Sequence, residues 1–387
     1  MRVYFDYNAT TPLAPEVADL VARVSREVFG NASSIHHFGQ QAKATMDDAR
    51  SAVASLLNAD PSEIVFTSGG TEADNLAIRG AAEALEPSGR RHLIASSIEH
   101  EAVLNTVRAL ARRGWRTTLL DVDQTGIVSP DRLRAVIDRD TALVSVMHAN
   151  NEIGTIQPIA ALAAIAHEHG ALMHTDAVQT AGKIPVDVRA LGVDLLALSA
   201  HKFNGPKGAG ALWIKRGTRM QPTVTGGKHE RNRRAGTENV AAIAGLGAAA
   251  ALAAGKMAVE AGRVSALRDR LEAGILREVP GTQVNGARDS RVPNTTNISF
   301  ERVEAESLLI ALDLEGVAVS TGSACSSGTL EPSHVLKAMG LSPHRTQNSL
   351  RFSLGMFSTQ EEVDRVIEIL PRLVEKLRGL TRRPVTA

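Results

Sequence analysis

Ionisable and hydrogen-bonding residues recur just after short apolar runs in this chain. The run 64–67 is followed by Ser68-Gly69-Gly70-Thr71-Glu72, a small-residue turn that opens a helical pattern. The free N–H groups and positive dipole end of such a helix suit a phosphate. The run 92–96 leads to Glu99-His100, and 142–148 leads to Asn150-Asn151-Glu152. The run 171–175 leads to Asp176, with Gln179 three residues on, and 194–199 leads to His201 and Lys202. In an open α/β sheet, ligands bind beyond the carboxyl ends of the strands, so these groups share one edge. A lysine, a buried carboxylate and a phosphate cradle together are what pyridoxal phosphate chemistry requires. The lysine forms a Schiff base, the carboxylate keeps the pyridine nitrogen protonated, and the helix end holds the phosphate.

Each feature has a plainer reading. Asp176 can cap the helix after it, His100 can be an ordinary core or surface histidine, and Gly69-Gly70 can be a simple turn. Lys202, in Ser199-Ala200-His201-Lys202-Phe203-Asn204-Gly205-Pro206-Lys207, can be a solvated charge like Lys207. The coincidence of all of them on one sheet edge favours the catalytic reading. Nicotinamide and nucleotide readings fit worse, since no Gly-x-Gly-x-x-Gly follows a strand and no Walker pattern occurs. His167-Glu168-His169 lacks the His-Glu-x-x-His spacing and reads as helix surface.

The chain has one cysteine, Cys325, in Ser320-Thr321-Gly322-Ser323-Ala324-Cys325-Ser326-Ser327-Gly328. A run of small and hydroxyl residues buries little apolar surface, which predicts a mobile, solvent-reachable loop. On the loop alone, an inert surface thiol and a catalytic one are equally admissible. A single cysteine allows no internal disulfide and no cysteine-based zinc site, which fits a reducing cytosol.

The elements that must carry these residues alternate. Candidate strands at 64–67, 92–96, 116–120, 142–148, 171–175, 194–199 and 210–214 are separated by helical patterns at 72–84, 102–113, 130–138 and 159–168. This alternation predicts an α/β domain with a mainly parallel sheet covered on both faces. After Val240 an alanine- and glycine-rich helix, too short to span a bilayer, leads into a helical pattern at 263–278. Beyond it, 297–300, 304–314 and 317–320 suggest a smaller α+β unit. A final helix runs from about 359 to 378, and Thr359-Gln360-Glu361-Glu362 is its capping signal. A length of 387 residues predicts two domains. The net charge of +1, from 43 basic and 42 acidic side chains, argues against a grip on nucleic acid or anionic membrane. The opening Met1-Arg2-Val3-Tyr4-Phe5-Asp6 meets an acid too early for a signal-peptide core. The expectation is a soluble, cytoplasmic protein.

Taken in order, the motifs resemble those of cysteine desulfurases of the NifS/IscS type, in the class V aminotransferase family of fold-type I pyridoxal phosphate enzymes. They begin with Asp6-Tyr7-Asn8-Ala9-Thr10-Thr11-Pro12 and Phe29-Gly30-Asn31-Ala32-Ser33-Ser34-Ile35-His36. They continue through Thr67-Ser68-Gly69-Gly70-Thr71-Glu72, Ile98-Glu99-His100, Ala149-Asn150-Asn151-Glu152-Ile153-Gly154 and His174-Thr175-Asp176-Ala177-Val178-Gln179. Then follow Ser199-Ala200-His201-Lys202, Arg234-Ala235-Gly236-Thr237-Glu238-Asn239, the Cys325 loop and Leu350-Arg351-Phe352-Ser353. The cysteine loop is similar to that of the group with a flexible arm, and the Arg-x-Gly-His-His-Cys-type motif of the other group is absent.

The resemblance, which covers nearly the whole chain, implies a PLP-dependent transferase (aspartate aminotransferase-like) fold with a mainly parallel seven-stranded sheet. A large domain would span 16–258, and a small α+β domain made of 1–15 and 259–387 would carry the cysteine loop. It also implies roles. Lys202 forms the Schiff base and moves protons at the substrate Cα, Asp176 pairs with the pyridine nitrogen, and Gln179 pairs with the ring hydroxyl. His100 stacks on the ring and serves in acid–base steps, while Gly70, Thr71, Ser199 and His201 hold the phosphate. Thr237 reaches the phosphate of the neighbouring subunit in a homodimer. Arg351 grips the substrate carboxylate, and Asn31 and Asn151 position substrate or cofactor. The Cys325 thiolate attacks the sulfur of L-cysteine, alanine leaves, and the persulfide goes to an iron–sulfur scaffold or another acceptor. In that transfer Cys325 meets metal only transiently.

Two departures stand out. Gly70 occupies a position where many relatives have alanine, a change expected to be harmless to the phosphate turn. The tail after Leu380 is shorter than the one housekeeping relatives use for a scaffold, which favours a NifS-like role. A selenocysteine lyase or aminotransferase on the same fold, and a non-catalytic sulfur carrier, are the competing readings.

Overall fold

Apolar runs without alternation fold here as strands buried from both sides. The computed structural model describes residues 1–322 and 332–381; Cys325 lies outside them. In chain order the elements begin with β1 (Val3–Tyr4), α1 (Pro15–Glu27), α2 (His37–Leu56), β2 (Ile64–Thr67), α3 (Gly70–Leu85), β3 (His92–Ser96), α4 (Glu101–Ala111) and β4 (Arg116–Leu120). Next come α5 (Pro130–Val136), β5 (Thr141–Ser145), α6 (Ile159–Glu168), β6 (Leu172–Asp176), α7 (Val188–Leu191), β7 (Leu195–Ser199) and β8 (Gly210–Ile214). The remainder holds α8 (Val240–Glu278), β9 (Thr282–Asn285), β10 (Thr295–Phe300), α9 (Ala305–Leu314), β11 (Val317–Ala318), α10 (His334–Ala338), α11 (Pro343–Gln347), β12 (Ser349–Ser353) and α12 (Gln360–Thr381).

The large sheet has seven strands in the order β2-β8-β7-β6-β5-β3-β4. Its strands run parallel except β8, which is antiparallel to both β7 and β2. Successive residues feed opposite faces. Ile64, Phe66, Leu196 and Leu198 enter a core with residues of α2, α6 and α8, whereas Val65, Leu195 and Ala197 enter one with residues of α3 and α4. Two covered faces are why these strands read as continuous apolar runs. Edge strand β4 instead exposes Arg116 and buries Leu120.

A separate core gathers Val3 and Phe5, Val264 to Ile275 of α8, and apolar residues of β10, α9, β12 and α12. There β12, β10 and β9 form an antiparallel sheet, and β1 pairs with β11. The two cores share α8, whose alanine-rich half joins the first and whose leucine-bearing half joins the second. The sequence patterns at 240–254 and 263–278 are thus one uninterrupted helix. It is long and apolar enough to cross a bilayer by length and composition, so the expectation of a stretch too short fails. Half of its most apolar window is nevertheless packed inside the fold. Its small residues let it approach α2 closely. A Cβ on Gly247 would lie 2.4 Å from the Ala49 Cα and 2.6 Å from its Cβ.

Other boundaries moved by a few residues. Strand β5 ends at Ser145, although the Val146 and His148 N–H groups still donate to the His174 and Asp176 carbonyls at 3.1 and 2.8 Å. Helix α3 starts at Gly70, two residues before the expected 72. Helices α1 and α2 carry no Ser, Thr, Asp or Asn cap, since Ala14 precedes α1 and a ring nitrogen of His36 caps α2. The capping signal before α12 is realised reciprocally: the Glu362 N–H donates to Thr359 Oγ1 at 3.3 Å, and the Thr359 N–H donates to the Glu362 carboxylate at 3.0 Å.

The α2–α8 contact leaves no room for a larger side chain. Gly247→Val should lower unfolding stability by about 1–3 kcal/mol through overpacking against backbone, read as a lower urea midpoint. An unchanged midpoint would show that the helices separate freely.

Candidate functional site

One cleft, with about 970 Å³ of empty volume, opens at the carboxyl ends of the parallel strands. Its lining includes Gly70, Thr71, His100, Asn151, Asp176, Gln179, Ser199, His201, Lys202 and Arg351. Asn31 and Thr237 are exposed and are not among its lining residues. The side chain of Asn31 accepts the Ser33 N–H at 2.9 Å within its own turn.

The cradle is built by β2 and α3. No side chain caps α3 at Gly69, so first-turn N–H groups are left for an anion. Ser199, the last residue of β7, is buried beside them. A Cβ on Gly70 would lie 3.7 Å from that of Ser199 but only 2.7 Å from Val178 Cγ2. Exchange of this glycine for alanine is therefore not neutral here, because Val178 occupies the space. His201 contributes from the turn after β7, with its Nδ1 3.1 Å from Thr10 Oγ1.

Lys202 sits in the same turn. Its Nζ donates to the Asn8 carbonyl at 2.5 Å and the Ala9 carbonyl at 2.8 Å. Burial, then the positive charge of Arg351, lowers its pKa to about 8 against the pull of Asp176 and Asp6. About a tenth is therefore free amine at pH 7, far more than for an ordinary lysine, and that is the form that condenses with an aldehyde.

Asp176 ends β6 and is 5% exposed. One oxygen accepts the Val178 N–H at 2.8 Å, closing a local turn. The next helix starts only at Val188, so the expected helix-capping role fails, and the side chain lines the cleft. Burial raises its pKa, opposed by His100, by that N–H and by Lys202. It makes no ion pair among the described residues, so a cationic N–H entering the cleft would find a carboxyl with no side-chain partner at contact distance. Two neighbouring carboxyls carry little charge, Asp74 in the same cleft lining and Glu99 outside it. Burial pushes Glu99 up to about 8, and its carboxyl accepts the Ser96 hydroxyl and, at 2.8 Å, the Met147 N–H. Burial and the neighbouring Asp176 and Glu99 push Asp74 well above the carboxylate range. His174, 3.5 Å from Asp74, is driven by burial down to about 3.

His100 caps α4 by accepting the Ala102 N–H at Nδ1, 3.1 Å away. In the neutral ring this leaves the proton on Nε2. Gln179 donates from Nε2 to the Asn8 carbonyl at 3.0 Å. Arg351 arrives from β12 of the small sheet. Its guanidinium reaches the Asn151 carbonyl at 2.9 Å and Asp6 at 2.6 Å, and its buried Nε has no partner. An orphaned, buried guanidinium donor beside a cleft suits an incoming carboxylate.

Asn8, Asp6 and Lys183 were given no role from the sequence. Asn8 accepts from Lys202 and Gln179 at its carbonyl and from Lys183 and Asn294 at its side-chain oxygen. Its side-chain amide donates to the Asn151 carbonyl at 3.0 Å and to Thr295 at 2.8 Å. No periodicity could have revealed it, although the quoted Asp6-Tyr7-Asn8 motif contains it. The donor set as a whole fits a phosphorylated aromatic aldehyde: an anion cradle, an amine, a carboxylate for a ring N–H and an amide for a ring oxygen.

Residues 3–366 match the family model described as Aminotransferase class-V. The chain is 50% identical over 380 residues to a protein of Dictyoglomus turgidum named cysteine desulfurase IscS, covering 98% of this chain and 96% of that one. A cysteine desulfurase IscS of Methanosarcina thermophila is 50% identical over 379 residues, covering 98% of this chain and 93% of the other. Among solved structures, one titled NifS-like protein superposes with a TM-score of 0.92 at 38% identity, covering 97% of this chain and 100% of that one.

Two outcomes follow from the geometry. Gly70→Ala should destabilise the fold by about 1–3 kcal/mol, although alanine is normally the better helix residue, and Val178→Ala in the same chain should restore the urea midpoint. No restoration would mean that the clash is not with Val178. Separately, borohydride trapping of a small aldehyde at Lys202 in the cofactor-free protein should speed up with pH, reach half its maximum near pH 8 and level off above it. Exposed lysines should go on accelerating toward about 10.4. Peptide mapping across a pH series separates them.

Proposed function

Because the chain belongs to the class-V aminotransferase family, we propose that its cleft removes sulfur from L-cysteine and leaves L-alanine, the cysteine desulfurase reaction. The observation that carries this is the meeting of Lys202, Asp176, the α3 N-terminus and Arg351 in one cleft. When bound, pyridoxal 5′-phosphate supplies an aldehyde for the substrate amine and a ring that accepts electrons released at Cα. Gly70, Thr71, Ser199 and His201 hold its phosphate, Asp176 takes the ring N–H, and Gln179 takes the ring hydroxyl.

The residues then divide the work. Arg351 binds the substrate carboxylate, for which Asp6 is the resident stand-in. Lys202, with an amine already near neutrality, takes the Cα proton and later returns one. Asn151 and His100 flank the substrate, and His100 moves a proton to or from sulfur. The Cys325 thiolate attacks the substrate sulfur, a new S–S bond forms, and the C–S electron pair returns to carbon. A proton at that carbon completes alanine, and Cys325 keeps the persulfide. That residue lies outside the described structure, and its role rests on the sequence resemblance.

The sulfur passes to an iron–sulfur scaffold or another acceptor protein, where Cys325 meets metal only transiently. The active form is a homodimer in which Thr237, exposed on this chain, reaches the phosphate of the neighbouring subunit. A reducing cytoplasm suits a chain whose single cysteine must stay a thiol.

Incubation with L-cysteine, following alanine, sulfide and the mass of the Cys325 peptide, tests this reading. The wild type should form alanine and a persulfide, while Cys325→Ser should still bind cysteine but release no sulfur above background. Undiminished alanine formation by Cys325→Ser would favour a lyase or aminotransferase that does not need the thiol.

A further inference from the structure

Lys183 lies one turn beyond Gln179 and is used by none of the steps above. The turn that returns it toward the site passes through Gly182, whose φ of +76° lies in the left-handed region. A Cβ there would also fall 2.7 Å from Phe203 Cβ, so glycine is required on both counts. The Lys183 Nζ donates to Gln179 Oε1 at 2.8 Å and to Asn8 Oδ1 at 3.2 Å. Both acceptors are neutral amides, and Lys183 forms no ion pair among the described residues. Burial, with the positive charges of Lys202 and Arg351, holds its amine well below the ordinary lysine range. The lysine is half-buried, and both hydrogen bonds of its ammonium end go to Gln179 or to Asn8.

Those contacts decide which end of the Gln179 amide faces the cleft. An amide can present oxygen or nitrogen to a ligand, and only its partners fix the choice. The Asn8 carbonyl, which can only accept, takes one N–H of Gln179 at 3.0 Å. Lys183 takes the oxygen. The orientation of Asn8 is fixed in turn, because its Nδ2 donates to the Asn151 carbonyl and its Oδ1 accepts from Asn294, which also donates to the Leu354 carbonyl. One Gln179 N–H is left over, on a residue that lines the cleft.

We infer that Lys183 is a positioning residue that locks the Gln179 amide so that an N–H, and never the carbonyl oxygen, meets the ring oxygen of the bound cofactor. The inference rests on the pyridoxal phosphate reading and adds to it a residue that does not touch the ligand. Without Lys183 only the Asn8 carbonyl opposes a flip, and in the flipped amide the oxygen would face the ring oxygen.

The test uses full-length holoenzymes: wild type, Lys183→Met, Gln179→Ala and the double variant. The readouts are the rate of cofactor loss to a scavenging apoenzyme, the visible absorbance band and its pH titration. Lys183→Met should lose cofactor about tenfold faster and show a shifted band, as should Gln179→Ala. The double variant should be no worse than Gln179→Ala, the non-additivity expected of residues acting through one contact. Thermal midpoints check folding, and Lys183→Leu, which likewise carries no side-chain N–H donor, replaces Lys183→Met if that variant does not fold. Wild-type cofactor loss and spectrum in the variant used would overturn the inference, and so would fully additive losses in the double variant. A wild type that takes up no pyridoxal phosphate at Lys202 would instead sink the reading beneath it.

Discussion

The site depends on a short N-terminal segment laid between two cores. The carbonyl of Asn8 receives both Lys202 and Gln179, and its side chain is tied to Asn151, Lys183, Asn294 and Thr295. Two residues earlier, Asp6 holds Arg351. One short segment, which turns at Tyr7 to Ala9, thus connects the strand ends of the large sheet with β10 and β12 of the small one. Backbone carbonyls and amides suit this task. They hold an amine and an amide without adding charge, so the cleft keeps its electrostatic contrast.

That contrast is the second organising feature. Asp176 and Asp74 both line the cleft, but Asp74 and the neighbouring Glu99 are pushed toward the protonated form and His174 toward the neutral one. A low-dielectric layer of uncharged groups sharpens the field of the one carboxylate able to meet a ring cation. Lys202 belongs to the same arrangement. Its amine is depressed by burial and by Arg351, and that burial follows from lodging against the Asn8 and Ala9 carbonyls. Helix α8 gives the arrangement its frame, because a single helix contributes side chains to both cores.

Much of this was legible beforehand. Strands β2, β3, β4 and β8 and helix α6 fall where the sequence pattern placed them, and for β2, β3 and β8 the reason is that a strand buried on both faces writes itself as an unbroken run. The cradle at Gly69-Gly70, the carboxylate at Asp176 and the amine at Lys202 were visible as unusual residues following such runs. Helices α1 and α2 were not, since neither carries a customary cap. The cost of alanine at position 70 was also hidden, because the obstructing Val178 lies on another strand's end.

The sequence by itself determined the alternating architecture, the identity of the groups at the strand ends and the single thiol at Cys325. Those are local properties, carried by periodicity and by neighbours a few residues apart. Tertiary structure alone decided that Asp6 meets Arg351 and that Asn8 meets Lys202 and Asn294. It also gave Lys183, only four residues from Gln179, a lysine's worth of contacts with no ion pair among the described residues. Apart from Lys183 with Gln179, such contacts join positions 175 to 345 residues apart, and they exist only because two cores pack on one shared helix and bring their strand ends to a common cleft.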